Sequence, residues 1–372
     1  MKTVYLHIGT PKTGTTAIQK FMGHNRAVLE EKGVCYLDTG LTYPGIGIFR
    51  NAHFLIHQAK LEKGKRDYSL EKELFEKGFK ALEESLAKKD TIVLSDEGIW
   101  NSSRMHAESW KEIRKRIEEC GATLKVIVYL RRQDLLVKSY WAQQVKVGST
   151  MTFDDYIAKR KYGKFHLDYA EHLDSLAEYL GKDNIIVRVY EKEQYEGADH
   201  SILSDFLKIL GLEYDDSFEK EQTVYNVSLS GKYLEAKRLL NRNEYMRGKS
   251  NFMTYTLLRL QEEEQATRST DQSVYLSEEI VQYLKETYSD SNSRVAREYL
   301  GREDGVLFFQ DFEGTGVDRN MAYPVEELMD ICSRIIQEER MERRELSKNG
   351  IGLRRTFGVF LRKILPFHKD AE

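Results

Sequence analysis

Between Leu6 and Phe21 the chain reads LHIGTPKTGTTAIQKF, an apolar run that opens into a loop of small residues, proline, lysine and threonines before a helix start. A strand, a loop and a helix N-terminus in that order converge backbone N–H groups and a helix dipole on one point, where an anion binds. Gly9 and Gly14 let the backbone approach that anion, and Thr15 and Thr16 add hydroxyl donors at the first turn. A second cationic group follows the run VIVYL, where Arg131 and Arg132 precede QDLLVKSYW and Ser139 lies eight residues after Arg131. The guanidinium fork suits phosphate oxygens, and a serine on the following helix donates one more bond. Proton-transfer chemistry has candidates in Asp96 and Glu97, at the end of TIVLSDE, and in His53 of RNAHFLI.

The elements that must position these residues alternate strand and helix. TVYLHIG (3–9), GVCYLD (33–38), TIVLSDE (91–97), TLKVIVYLRR (123–132) and DNIIVRVYE (183–191) read as strands. Between them YSLEKELFEKGFKALEESLAKK (68–89), SWKEIRKRIEECG (109–121, closed by Gly121) and ILSDFLKILGL read as helices. This alternation predicts an α/β fold, a P-loop-like single domain with a central, mainly parallel sheet flanked by helices. Beyond about residue 225 strand signals fade, and Ser230 and Ser277 read as N-caps in a helical C-terminal region. The expected division is one domain over 1–335 and a basic amphipathic tail over 336–372.

With 57 basic and 60 acidic residues the net charge is −3, so no global field favours nucleic acid. The three cysteines, Cys35, Cys120 and Cys332, are too scattered for a disulfide framework or a CxxC zinc pair, which suits a reducing compartment. The opening MKTVYLHIGTPK turns polar too soon for a signal peptide, and no apolar run reaches the roughly 20 residues of a membrane span. The expectation is a cytoplasmic chain.

The opening loop keeps the Gly9-to-Gly14 spacing of the Walker A pattern GxxxxGK[ST] but places Thr15 where that pattern has lysine. PKTGTT (11–16) instead resembles PK[ST]GTT, the 5′-phosphosulfate loop of the sulfotransferases. The resemblance implies a co-substrate, 3′-phosphoadenosine 5′-phosphosulfate, whose 5′-phosphate lies among Pro11, Lys12, Thr13, Gly14, Thr15 and Thr16. Lys12 would reach the oxygen bridging phosphate and sulfate. In that family an arginine at a strand end and a serine eight residues on hold the 3′-phosphate, which falls here on Arg131 and Ser139. Arg131-Arg132-Gln133 stands where the family often has Arg-Asn-Pro, so either arginine is open to that role. RRQD and SYWAQQVKVG resemble a bacterial, carbohydrate-type branch, as does SDE, whose glutamate implies Glu97 as the general base. His53 is the alternative base or an acceptor-site residue. DSNSRVAREYLG (290–301) resembles the end of the same branch, where Arg294 and Arg297 either close over the donor or sit in solvent. The resemblance spans roughly residues 3 to 309.

The implied activity is sulfuryl transfer to a hydroxyl of a carbohydrate or glycolipid, without a metal, because a sulfuryl group carries less charge than a phosphoryl group. Two other classes stay open. Apolar residues before Asp96-Glu97 also read as Walker B, which would fit a kinase or NTPase, and a non-catalytic nucleotide-binding scaffold is the third. The tail adds a possible address. From Leu346 to Lys369 it carries six basic residues and no acidic one, and Leu353, Phe357, Phe360 and Ile364 share a helical face. That pattern suits peripheral contact with an anionic membrane surface, or packing on the protein's own body.

Overall fold

Five of the apolar runs become strands because their residues are buried on both faces, the condition of a parallel sheet covered by helices. The computed structural model describes residues 2–60, 65–160, 162–163, 165–197, 199–219, 229–248, 250–265, 278–312 and 323–348. In chain order the first elements are β1 (Lys2–Gly9), α1 (Thr15–His24), α2 (Arg26–Glu31), β2 (Val34–Tyr36), α3 (Tyr68–Leu86) and β3 (Thr91–Ser95). Then come α4 (Ala107–Glu119), β4 (Ala122–Leu130), α5 (Gln133–Lys146), α6 (Phe153–Ala158), α7 (Tyr169–Leu180), β5 (Ile185–Val189) and α8 (Ile202–Ile209). The remainder is helical, with α9 (Gly231–Leu240), α10 (Glu244–Gly248), α11 (Ser250–Gln265), α12 (Glu278–Leu300) and α13 (Val325–Lys348).

The sheet order is β2-β3-β1-β4-β5 and every neighbouring pair is parallel. Successive connections leave β1 toward β3 and β2 on one side, and leave β4 toward β5 on the other. The sheet therefore changes direction between β1 and β4, and its C-terminal edge there is where α/β sheets bind ligands. The β1–β4 register shifts between His7 and Gly9, just as β1 gives way to the loop. On one face Val93, Ile127 and Tyr129 pack with Ile18, Phe21 and Met22 of α1 and Phe206 and Leu207 of α8. This seats the start of α1 beside the ends of β1 and β4.

The chain divides into two compact units, one drawn from residues 1–140, 156–226 and 276–316 and the other from the remainder. The whole sheet lies in the first. Asp67 and Asp168 cap α3 and α7 by accepting from Leu70 N and Glu171 N, each at 3.0 Å. Ser230 occupies the N-cap position of α9 but makes no capping bond with its side chain, while its N–H donates to Gln261 Oε1 at 2.9 Å. Ser277 lies outside the described residues. So does 349–372, which holds Leu353 to Ile364 of the amphipathic pattern, while α13 runs unbroken through residue 336. No described helix is long and apolar enough to cross a membrane.

Candidate functional site

The loop between β1 and α1 is tightly turned. Gly9, Lys12 and Gly14 all have positive φ, at 106°, 70° and 71°, a conformation uncommon for a lysine. Thr10 ties the loop to β4, donating to Tyr129 O from N (2.9 Å) and from Oγ1 (3.1 Å), and the Thr13 hydroxyl donates back to Thr10 O. The N–H groups of Ala17 and Ile18 turn onto Gly14 O. Those of Thr13, Gly14, Thr15 and Thr16 have no hydrogen-bond partner among the described residues. Four adjacent donors at a helix N-terminus are thus unspent. Pro11 is half-buried, Thr15 is buried and Thr16 is exposed. The glycines serve packing as well as access. A Cβ on Gly14 would lie 2.8 Å from Ile202 Cδ1, and one on Gly9 3.3 Å from the Cα and Cβ of Glu97.

That last distance brings Glu97 against the loop, and Arg131 meets it from β4. Arg131 Nη1 donates to Lys12 O at 2.7 Å, and its guanidinium lies 5.5 Å from the ring centroid of Tyr190. Its Nε is buried with no partner among the described residues, with none of which it forms an ion pair. Burial pushes the Arg131 pKa below the usual arginine value. Burial also lowers that of Lys12, with the Arg131 charge adding to the effect and Glu97 opposing it. Two cations are held side by side, an arrangement an anion would relieve. Arg132 is committed elsewhere: it pairs with Asp134 at 2.8 and 3.0 Å and donates to the carbonyls of Gln310 (3.0 Å) and Asp311. Ser139 is half-buried on the second turn of α5 and makes no hydrogen bond to Arg131.

On the opposite flank of β1 the carboxylates are spent. Asp96 is fully buried, with Arg50 Nε at 3.1 Å and His53 Nδ1 at 2.9 Å from Oδ2, and Arg50 Nη2 at 2.5 Å and Gly98 N at 2.7 Å from Oδ1. Burial alone would raise its pKa, but the hydrogen bonds from His53 and Arg50 outweigh it and hold Asp96 below the usual range. Glu97 accepts from Gln19 Nε2 at 2.8 Å and lies 3.3 Å from Arg50 Nη1. Gln19 also donates to Ser95 Oγ (3.2 Å), which sits 2.9 Å from His7 Nδ1. The Tyr43 ring lies edge-on 4.8 Å from that of His53 and tilted 4.4 Å from that of His57, and its buried hydroxyl has no partner among the described residues.

Arg50, Gln19 and Tyr43 were invisible as site residues in the sequence. Only Gln19 left a signal, as a polar residue on the apolar face of α1 beside Ile18 and Met22. Arg294 is held by Asp174 (2.6 Å) and Glu298 (3.1 Å), and Arg297 donates to Glu303 O at 3.4 Å. Glu191, buried just past β5, accepts from Phe309 N (2.8 Å) and Gln310 N (3.4 Å) and so anchors the segment that Arg132 also grips. Among the described residues no group of three or more His, Cys, Asp or Glu side chains is arranged to hold a metal ion.

Fold and site together describe an α/β protein that gathers two cations and unspent N–H donors at the C-terminal edge of a parallel sheet. No family model matches the chain. Over 188 residues it is 28% identical to an uncharacterized protein of Archaeoglobus fulgidus, a match covering 50% of this chain and 49% of the relative. The chain therefore matches about half the length of that curated relative. A solved structure, a sulfotransferase from Alicyclobacillus acidocaldarius, aligns over 82% of this chain and 97% of that one, with a TM-score of 0.40 and 11% identity.

Proposed function

We propose that the chain is a sulfotransferase that moves a sulfuryl group from 3′-phosphoadenosine 5′-phosphosulfate to a hydroxyl of a carbohydrate or glycolipid. One observation carries the reading: Lys12 and Arg131, whose buried Nε has no partner among the described residues, meet at a helix N-terminus where the N–H groups of Thr13 to Thr16 are unspent. The residues fit the nucleotide by charge and donor chemistry. The PKTGTT loop offers donors to the 5′-phosphate, and Arg131 offers its fork to the 3′-phosphate, while Arg132 is already consumed by Asp134. In the transfer the acceptor oxygen attacks sulfur and the bond from sulfur to the bridging oxygen breaks. Lys12 neutralises the charge left on the phosphate, and a base takes the acceptor proton.

Glu97 is the base in this reading, because it is the carboxylate lying against the loop. A second assignment has one observation in its favour. Asp96 engages His53 Nδ1, and a carboxylate in that place orients an imidazole to accept a proton at Nε2. The tail pattern in 346–369 supports peripheral docking on an anionic membrane, which would bring the enzyme to a lipid-linked acceptor.

Thermal shift separates the classes. Adenosine 3′,5′-bisphosphate at ~100 times its dissociation constant should add about 2.7 kcal/mol of stability with no metal present. Stabilisation only by ATP with magnesium would make the protein a kinase or NTPase. Bisphosphate binding without any transfer to hydroxyl acceptors would make it a scaffold.

A further inference from the structure

A cavity of about 570 Å³ opens between the start of α3 and the start of α4, within the first compact unit. Its size falls in the range of small-molecule sites, roughly 300–1,000 Å³. At its base Glu71, 3% exposed, carries two arginines. Arg66 grips it through Nε (3.0 Å to Oε1) and Nη2 (2.6 Å to Oε2), and Arg104 Nη1 reaches Oε2 at 2.5 Å. Two guanidiniums on one carboxylate leave a net positive charge in a fixed place. Each also keeps donor capacity: Nη1 of Arg66, and Nε and Nη2 of Arg104, are engaged by no described residue.

The rim carries both signs, so the positive charge is local to the two guanidiniums. Lys72 forms no ion pair among the described residues, whereas Glu76 shares Arg116 (3.0 Å) with Glu83 (2.8 Å), and Glu112 is the other acidic residue of the rim. Leu55, Phe75 and Ile113 give the same cavity apolar wall. A ligand that fits would be small, would offer an oxyanion to the arginines and would lay a ring against the wall. The cavity also adjoins the proton-transfer flank. Leu55 lies two residues from His53, and Arg104 Nη1 donates to the carbonyl of His57 at 2.6 Å, whose ring is 5.4 Å from that of His53.

We propose that this cavity binds the negatively charged group of an acidic sugar, a uronic carboxylate or a sulfate ester, and so seats the acceptor beside the reacting centre. The oxyanion follows from the cavity, whereas the sugar rests on the sulfotransferase reading. Glu71 is the positioning residue, since it holds two like charges together.

The test is binding by ligand-observed NMR to the full chain without nucleotide, with glucuronic acid, glucose 6-sulfate, glucose and inorganic sulfate as probes. Both acidic sugars should bind at least tenfold more tightly than glucose. Arg66→Gln should weaken them about tenfold and the exposed Lys72→Glu severalfold, with glucose unaffected and, for Lys72→Glu, an unchanged melting temperature. Glucose binding as well as the acidic sugars, or both variants binding them like the wild type, would overturn the proposal. So would inorganic sulfate matching glucose 6-sulfate, which would remove the sugar. A separate bisphosphate titration reports the donor loop alone, so failure there is a distinct result.

Discussion

Two groups of charged residues flank the end of β1, and they differ in how much of their bonding is already used. On the β4 side Arg131 has a buried Nε with no partner, and the loop beside it holds four unspent N–H groups. On the β3 side Asp96 makes four hydrogen bonds and Glu97 is held by Gln19 and Arg50. A buried polar group left unsatisfied costs roughly 1–3 kcal/mol, so under the proposed function the first side awaits a ligand while the second is already held in place by its own bonds. Unspent and spent bonding capacity are thus divided between neighbouring strand ends.

The sharpest way to break that division is to remove the carboxylate facing the loop. Glu97→Gln keeps the shape, so it should leave bisphosphate affinity nearly unchanged while transfer falls about a hundred- to ten-thousand-fold. If His53→Ala shows that loss instead and Glu97→Gln turns over normally, the base is His53. Next in size is the structural cost on the same side. Asp96→Asn leaves Arg50 and His53 without their buried counter-charge, and denaturant unfolding should show a loss of about 3–5 kcal/mol. A loss near zero would mean that this flank is not held by its ion pairs.

A smaller effect follows from pH. Burial pushes His7 down to about 3, with Asp96 opposing, so the folded chain keeps it neutral while the unfolded chain protonates near 6.5. Between those values the unfolded state binds more protons, and stability must fall as pH falls, by at most roughly 1.4 kcal/mol per pH unit for this group. The decline should be shallower in His7→Gln. An identical slope would assign the acid sensitivity to other groups. The smallest effect is expected at the basic end of the sequence: removing 349–372 should leave melting and bisphosphate binding intact but lower affinity for anionic vesicles. A truncated chain that fails to fold would show that the segment packs on the protein itself.

The loop and strand ends were legible in the sequence because their information is local. PKTGTT sits between an apolar run and a helix start, and Arg131 and Glu97 each follow a run of buried residues by one or two positions. What the sequence hid is set by packing across distance. Arg50 and Asp96 are 46 residues apart, and Gln19 and Glu97 are 78 apart, so nothing in either neighbourhood announces the pair. That Arg132 is bound to Asp134 while Arg131 has no ion pair among the described residues is likewise a matter of side-chain packing that the run RRQD does not announce. Ser230 shows the converse, a residue of the right type at the right position whose side chain leaves the cap unmade.

On the proposed function the unspent side holds both phosphates of one nucleotide. Isothermal titration in EDTA tests it, with adenosine 3′,5′-bisphosphate and adenosine 5′-phosphate against the wild type and Arg131→Ala. The wild type should prefer the bisphosphate by about ten- to a hundredfold, the worth of a charge-assisted contact, and the variant should bind both nucleotides alike. Equal affinities in the wild type, or a preference that survives Arg131→Ala, would contradict it.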